Sequence, residues 1–131
     1  MKGYFGNIEK LTLANENFRQ VLYTAPYSQL VLMLLKPGEE IGEEVHDVDQ
    51  FFRFERGTGK SVVDGNEYVV GDGDSIVVPA GARHNIINTS DSELLNLYTI
   101  YSPANHRDGV VAATKEIAES KEEHFDGKTT E

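Results

Sequence analysis

Short runs rich in β-branched, aromatic and leucine residues recur along this chain, each closed by a turn signal, and no other pattern constrains the fold as strongly. They fall at approximately residues 18–23, 29–36, 50–55, 61–63, 67–70, 75–78, 84–88 and 93–101. Each is of strand rather than helix length, and the spacing favours an all-β sandwich or barrel over alternating βα units. The breaks carry their own chemistry. Asp64-Gly65-Asn66 separates two of the runs, and Asp-Gly is a preferred hairpin turn because its central residues must accept positive φ. Ala25-Pro26-Tyr27, Pro37-Gly38 and Gly71-Asp72-Gly73-Asp74 are further breaks.

A helix is expected only at about residues 114–122, with Ile117 and Ala118 as its few apolar positions and Glu116, Glu119, Lys121 and Glu122 solvated. It reads as a terminal appendage, followed by a polar, frayed tail from His124 to Glu131. No long repeat, linker or low-complexity segment divides the 131 residues, so 1–131 is read as one domain, long enough to bury roughly two-thirds of its unfolded surface. The formal net charge is −10, from 22 acidic against 12 basic side chains, which makes nucleic acid and anionic membrane poor partners. The N-terminus carries no apolar signal segment, and the longest apolar stretch, residues 30–35, is far too short to span a bilayer, so a cytoplasmic location is expected. There is no cysteine. A metal site must therefore draw on His, Asp, Glu, Asn, Gln or backbone oxygen.

Two segments together cover residues 38–88. Gly38, Glu44, His46, Gln50 and Gly57 keep every interval of the first motif of the cupin superfamily, G-x5-H-x-H-x3-E-x6-G. Gly73, Pro79, Gly81, His84 and Asn88 match the second, G-x5-P-x-G-x2-H-x3-N, with no residue replaced. The chain thus resembles a small single-domain cupin. That resemblance implies a double-stranded β-helix, a jelly-roll-like barrel with the short helix at its C-terminal end, holding one divalent metal through Glu44, His46, Gln50 and His84. Glu44, His46 and Gln50 have the same parity, so an extended strand would point them to one face, with Val45, Asp47 and Asp49 on the other. His84 would then arrive from a strand across the barrel. The usual cupin set is three His and one Glu. Here the first His is Glu44 and the Glu is Gln50, so the carboxylate has moved and the ligand charge is unchanged. A mixed N2O2 set suits Fe, Mn, Ni or Zn.

Beyond the ligands, Tyr98, Tyr101 and Phe52 read chiefly as core that lines a pocket at most in part. Arg53 and Arg83 have the opposite parity to their neighbouring ligands and are expected to face solvent. His106 is expected as a surface-loop histidine, with an acid or base folded over the barrel mouth as the alternative. The leading functional expectation is metal-assisted isomerase or lyase chemistry on a small oxygen-rich substrate, a sugar or a keto or hydroxy acid. The ligand types resemble those of mannose-6-phosphate isomerases of cupin fold, with the amide and carboxylate interchanged. An Fe(II)-dependent dioxygenase and a non-catalytic small-ligand sensor or binding module are the alternatives. The resemblance also implies a homodimer, for which the amphipathic segment Tyr4, Phe5, Ile8, Leu11 reads as an exchanged or edge-covering strand.

Overall fold

The computed structural model describes residues 1–121 and 123–131; Glu122, expected on the solvated face of the C-terminal helix, lies outside the described residues. The chain runs α1 (Ile8–Ala14), β1 (Arg19–Thr24), β2 (Gln29–Leu35), β3 (Glu44–Val45), β4 (Asp49–Arg56), β5 (Thr58–Val63), β6 (Asn66–Gly71), β7 (Ser75–Val78), β8 (Arg83–Asn88), β9 (Leu95–Ser102), β10 (Val111–Ala112) and α2 (Lys115–Ser120). A six-stranded sheet in the order β10-β1-β2-β9-β4-β7 faces a four-stranded sheet in the order β3-β8-β5-β6. All pairings are antiparallel. The expected strand runs all appear, with boundaries displaced by a few residues, and the jelly-roll-like barrel is the architecture observed.

Alternation sets the inner face. Val31, Met33 and Leu35 on β2 lie opposite Thr99, Leu97 and Leu95 on β9, and Phe52 and Phe54 on β4 complete the buried rows. These side chains form one apolar core with Val21, Val78 and Ile86. At one end of the barrel the same inward parity carries polar groups instead. Gln29, Tyr101 and Gln50 are aligned across β2, β9 and β4, and all are buried.

Three expectations are corrected. The segment containing Ile8 and Leu11 is helical, not an exchanged strand: Asn7 caps it by accepting from Lys10 N at 3.0 Å, and the 8, 11, 12 spacing is that of a helix face. Thr12 is its buried contact, and its carbonyl accepts from Asn96 Nδ2 at 3.1 Å. The C-terminal helix is not a mere appendage, because Ala118 packs into the core cluster. Nor is the tail frayed. Thr130 N donates to Thr24 O at 2.9 Å, Phe125 N donates to Asn105 O at 3.1 Å, and the Glu131 carboxylate accepts from the backbone of Lys2 and Gly3.

Two turns show what glycine does here. Asp64 and Gly65 close the β5–β6 hairpin with φ of 46° and 80°, the paired positive values of a two-residue hairpin loop. Gly57, at φ 96°, joins β4 to β5 where a Cβ would stand 2.3 Å from Leu94 O. A Cβ on Gly65 meets nothing within 4 Å. Gly65→Ala should therefore cost only the backbone preference, about 1 kcal/mol, whereas Gly57→Ala adds a clash with backbone and should cost several times as much. Urea unfolding midpoints of the two variants test the ranking; equal losses would contradict it.

Candidate metal centre

The two motif segments meet through the backbone. Gly81 N donates to His46 O at 2.7 Å, and Ala80 N donates to the Asp49 carboxylate at 2.9 Å, so the turn before β8 is fastened to the link between β3 and β4. Asp49 is exposed, as its parity suggests, and serves this turn. The link at residues 46–48 also carries the chain from the four-stranded sheet to the six-stranded one. This corrects the expected arrangement. His84 lies directly opposite Glu44 on the neighbouring strand, and Gln50 is the donor that comes from the other sheet.

Glu44 and His46 pair with each other, Oε2 to Nε2, at 2.8 Å. Burial would push the Glu44 carboxyl upward, but the hydrogen bond and charge of His46, with Arg19 and His84 behind it, hold it below the usual carboxylate range. The His46 and His84 rings lie 5.2 Å apart between centroids. His84 is buried and directs Nδ1 to the Ala82 carbonyl at 3.0 Å, a contact that in the neutral ring leaves the lone pair on Nε2. Gln50 is buried, its Nε2 donates to Thr99 Oγ1 at 2.9 Å, and its Oε1 is buried with no hydrogen-bond partner. Among the described residues, no three His, Asp or Glu side chains converge as a ready-made metal cluster. The Glu44–His46 pair turns two donors toward each other, and the remaining oxygen donor is an amide.

A cavity of about 360 Å³ opens beside this cluster. Glu44 and His46 line it, as do Arg19, His106 and Lys115; His84 and Gln50 are buried behind. Its size is that of a small-metabolite site. Helix α2 and the tail contribute Ala118 and Glu123 to its wall, so the terminus expected to be peripheral borders the mouth.

His106 is not a free surface histidine. Its backbone N donates to Gln29 Oε1 at 3.0 Å, its carbonyl accepts from Gln29 Nε2 at 2.7 Å, and Asn105 N shares the same Oε1 at 3.2 Å. The ring then meets Tyr101 OH through Nε2 at 3.1 Å, and Tyr101 lies edge-on to His46 with centroids 5.8 Å apart. Burial pushes the Tyr101 phenol well above its ordinary range. Phe52 packs in the core beneath, 6.4 Å from the His84 ring, while Tyr98 lies on the opposite face of β9 against Phe51. Arg83 faces solvent, paired with Glu43 at 2.6 Å; Arg53 is partly exposed beside Glu55 at 3.3 Å. Sequence reasoning missed Arg19 and Gln29. Arg19 shares parity with inward-facing Val21, which was the available signal.

Against known proteins, residues 31–101 match the family model described as a cupin domain. The chain is 46% identical over 112 residues to the protein L612 of Acanthamoeba polyphaga mimivirus, covering 82% of this chain and 70% of that one. It is 44% identical over 129 residues to YrkC of Bacillus subtilis, covering 93% and 69%. Among solved structures, BH2720 of Bacillus halodurans superposes with a TM-score of 0.89 at 38% identity, over 92% of this chain and 96% of that one. An RmlC-like cupin from Shewanella frigidimarina gives 0.61 at 27% identity, over 66% and 75%.

The His106 environment has a consequence for stability. Burial, with the charges of Arg19, His46 and His124 behind it, pushes its pKa down to about 3. The unfolded chain takes up that proton near 6.5 and the folded chain does not, so folding stability contributed by neutral His106 is full above 6.5 and falls with acidification between 6.5 and 3. The slope in that window is at most about 1.4 kcal/mol per pH unit. Urea titrations at neutral and mildly acidic pH should show a shallower acid loss for His106→Gln than for the wild type. Parallel losses would place the acid sensitivity elsewhere.

Proposed function

Because the chain belongs to the cupin domain family, we propose that Glu44, His46, Gln50 and His84 hold one divalent metal and that the site performs isomerase or lyase chemistry on a small oxygen-rich molecule. The observation that carries this reading is the Gln50 amide. Its oxygen is buried and unpaired while its nitrogen is held by Thr99, so it points as an acceptor waiting for a donor or a cation. An orphaned buried acceptor of this kind is costly, on the order of 1–3 kcal/mol, and coordination would remove the cost. The free Nε2 of His84, set by the Ala82 carbonyl, supports the same reading.

A bound divalent cation would supply Lewis-acid polarisation of a substrate carbonyl or hydroxyl. The chain's own residues supply the rest. Glu44, already held as a carboxylate at the cavity wall, adds negative charge that a cation would neutralise, and the Glu44–His46 hydrogen bond is the contact that coordination would replace. Thr99 orients Gln50, and Ala82 orients His84. His106 lines the cavity with a ring that stays uncharged near neutral pH, and buried Tyr101 holds that ring through its hydroxyl, so His106 would position a substrate without competing for the metal's charge. A homodimer remains part of the proposal, without the N-terminal strand exchange that the helix α1 rules out.

Elemental analysis of protein purified without added metal tests the ligand set. Either His46→Ala or His84→Ala should abolish stoichiometric metal, Glu44→Ala should lose most of it, and Gln50→Ala should weaken affinity by roughly tenfold while keeping some occupancy. Full occupancy in His84→Ala would remove the site. For the chemistry, metal-dependent exchange between aldose and ketose, or between keto and hydroxy isomers, should proceed without oxygen; turnover that consumes oxygen and depends strictly on iron would replace this reading with oxygenation.

A further inference from the structure

Arg19 is left over by the chemistry above. It stands opposite Met33 in the β1–β2 ladder, on the inward face shared with Val21, and it lines both the cavity beside Glu44 and His46 and a smaller one of about 80 Å³. Its guanidinium carbon lies 5.5 Å from the Phe18 ring centroid, so one side of the group rests on an aromatic wall. Its Nε is buried and finds no acceptor. Among the described residues Arg19 forms no ion pair, and the acids around it are engaged elsewhere: Glu43 with Arg83 at 2.6 Å, Glu123 with Arg107 at 2.7 Å and Glu44 with His46 at 2.8 Å. A half-buried guanidinium whose Nε is withdrawn from water with no acceptor is unfavourable unless something else brings one.

We propose that Arg19 binds the carboxylate of a small 2-oxo or 2-hydroxy acid in this cavity, which makes the substrate a carboxylic acid rather than a neutral sugar. The inference rests on reading the cavity as the substrate site beside the metal. A planar guanidinium matches a carboxylate through parallel N–H donors, and its fixed fork orients the acid as well as holding it. The oxygen on the adjacent carbon is then presented to the Glu44 and His46 side of the same cavity. Charge decides against a phosphate. Glu43, Glu44, Glu119 and Glu123 all line the cavity, so a dianion meets more repulsion there than a monoanion does. Lys115, loosely placed 3.8 Å from Glu119, is a second cation at the mouth that favours entry of an anion.

The test follows the Arg19 Nε–H resonance by nitrogen-15 NMR in the full chain after chelator treatment, assigned with Arg19→Gln. Pyruvate and L-lactate are titrated separately, with lactamide, inorganic phosphate and sodium chloride as comparisons. Both acids should shift the resonance saturably, lactamide and chloride should not, and Arg19→Gln should weaken acid binding, followed at backbone resonances, by about tenfold or more. A resonance that neither acid moves, or that phosphate alone moves, or that chloride moves equally, would overturn the assignment. The titration is metal-free, so its failure alongside stoichiometric metal in the wild type would sink the carboxylate and leave the metal reading standing. A saturable shift in a protein that never acquires metal would do the reverse.

Discussion

The hydrogen bond from Gly81 N to His46 O is the contact on which the site's architecture depends. At 2.7 Å it ties the turn that launches β8 to the short link between the sheets, and Ala80 N reinforces it through Asp49. Neither partner is a side chain of the candidate centre. Their effect is on register: with the link held against the turn, Glu44 stays opposite His84 on one sheet while Gln50 enters from the other. Gly81 has φ 89°, the left-handed region, which a residue with a Cβ adopts only at a cost, and this accounts physically for glycine in the turn.

Against that frame stands a polar row inside an otherwise apolar barrel. Burying Gln29, Gln50 and Thr99 among leucine, valine and phenylalanine would be unfavourable unless nearly every polar atom found a partner. Gln29 does so completely enough to fasten the loop bearing His106, and through it the ring that meets Tyr101. Gln50 does so by half. The contrast matters because the two glutamines sit at equivalent inward positions flanking Tyr101 in the same six-stranded sheet. One is a structural clamp, and the other retains a buried acceptor without a partner.

The C-terminal segment joins stability to the site. Ala118 contributes to the core, Glu123 holds Arg107, and the end of the chain returns to Thr24 and to the N-terminal backbone. The cavity wall is consequently built from both ends of the sequence, β1 and α2, as well as from the motif segments. Among the described residues no helix is long and apolar enough to cross a membrane, and the helices present serve this packing.

Much of this was legible in the residues alone. The strand runs, the Asp64-Gly65 hairpin and the two motif segments follow from local chemistry, since alternation, turn residues and positive-φ glycines are properties of a few consecutive positions. The helix at Ile8–Ala14 was harder to read because seven residues carry few periods, and its cap, Asn7, weighs more than its apolar spacing. Parity groups Glu44, His46 and Gln50 on one face, but parity assumes one continuous strand. The chain instead leaves one sheet after Val45 and enters the other at Asp49, so which donor lies beside which was a matter of pairing between distant strands. Arg19, Gln29 and His106 depended on tertiary structure for the same reason. Their roles come from contacts made across tens of residues of sequence, where burial and the absence or presence of a partner are decided by the closed barrel and by no local pattern.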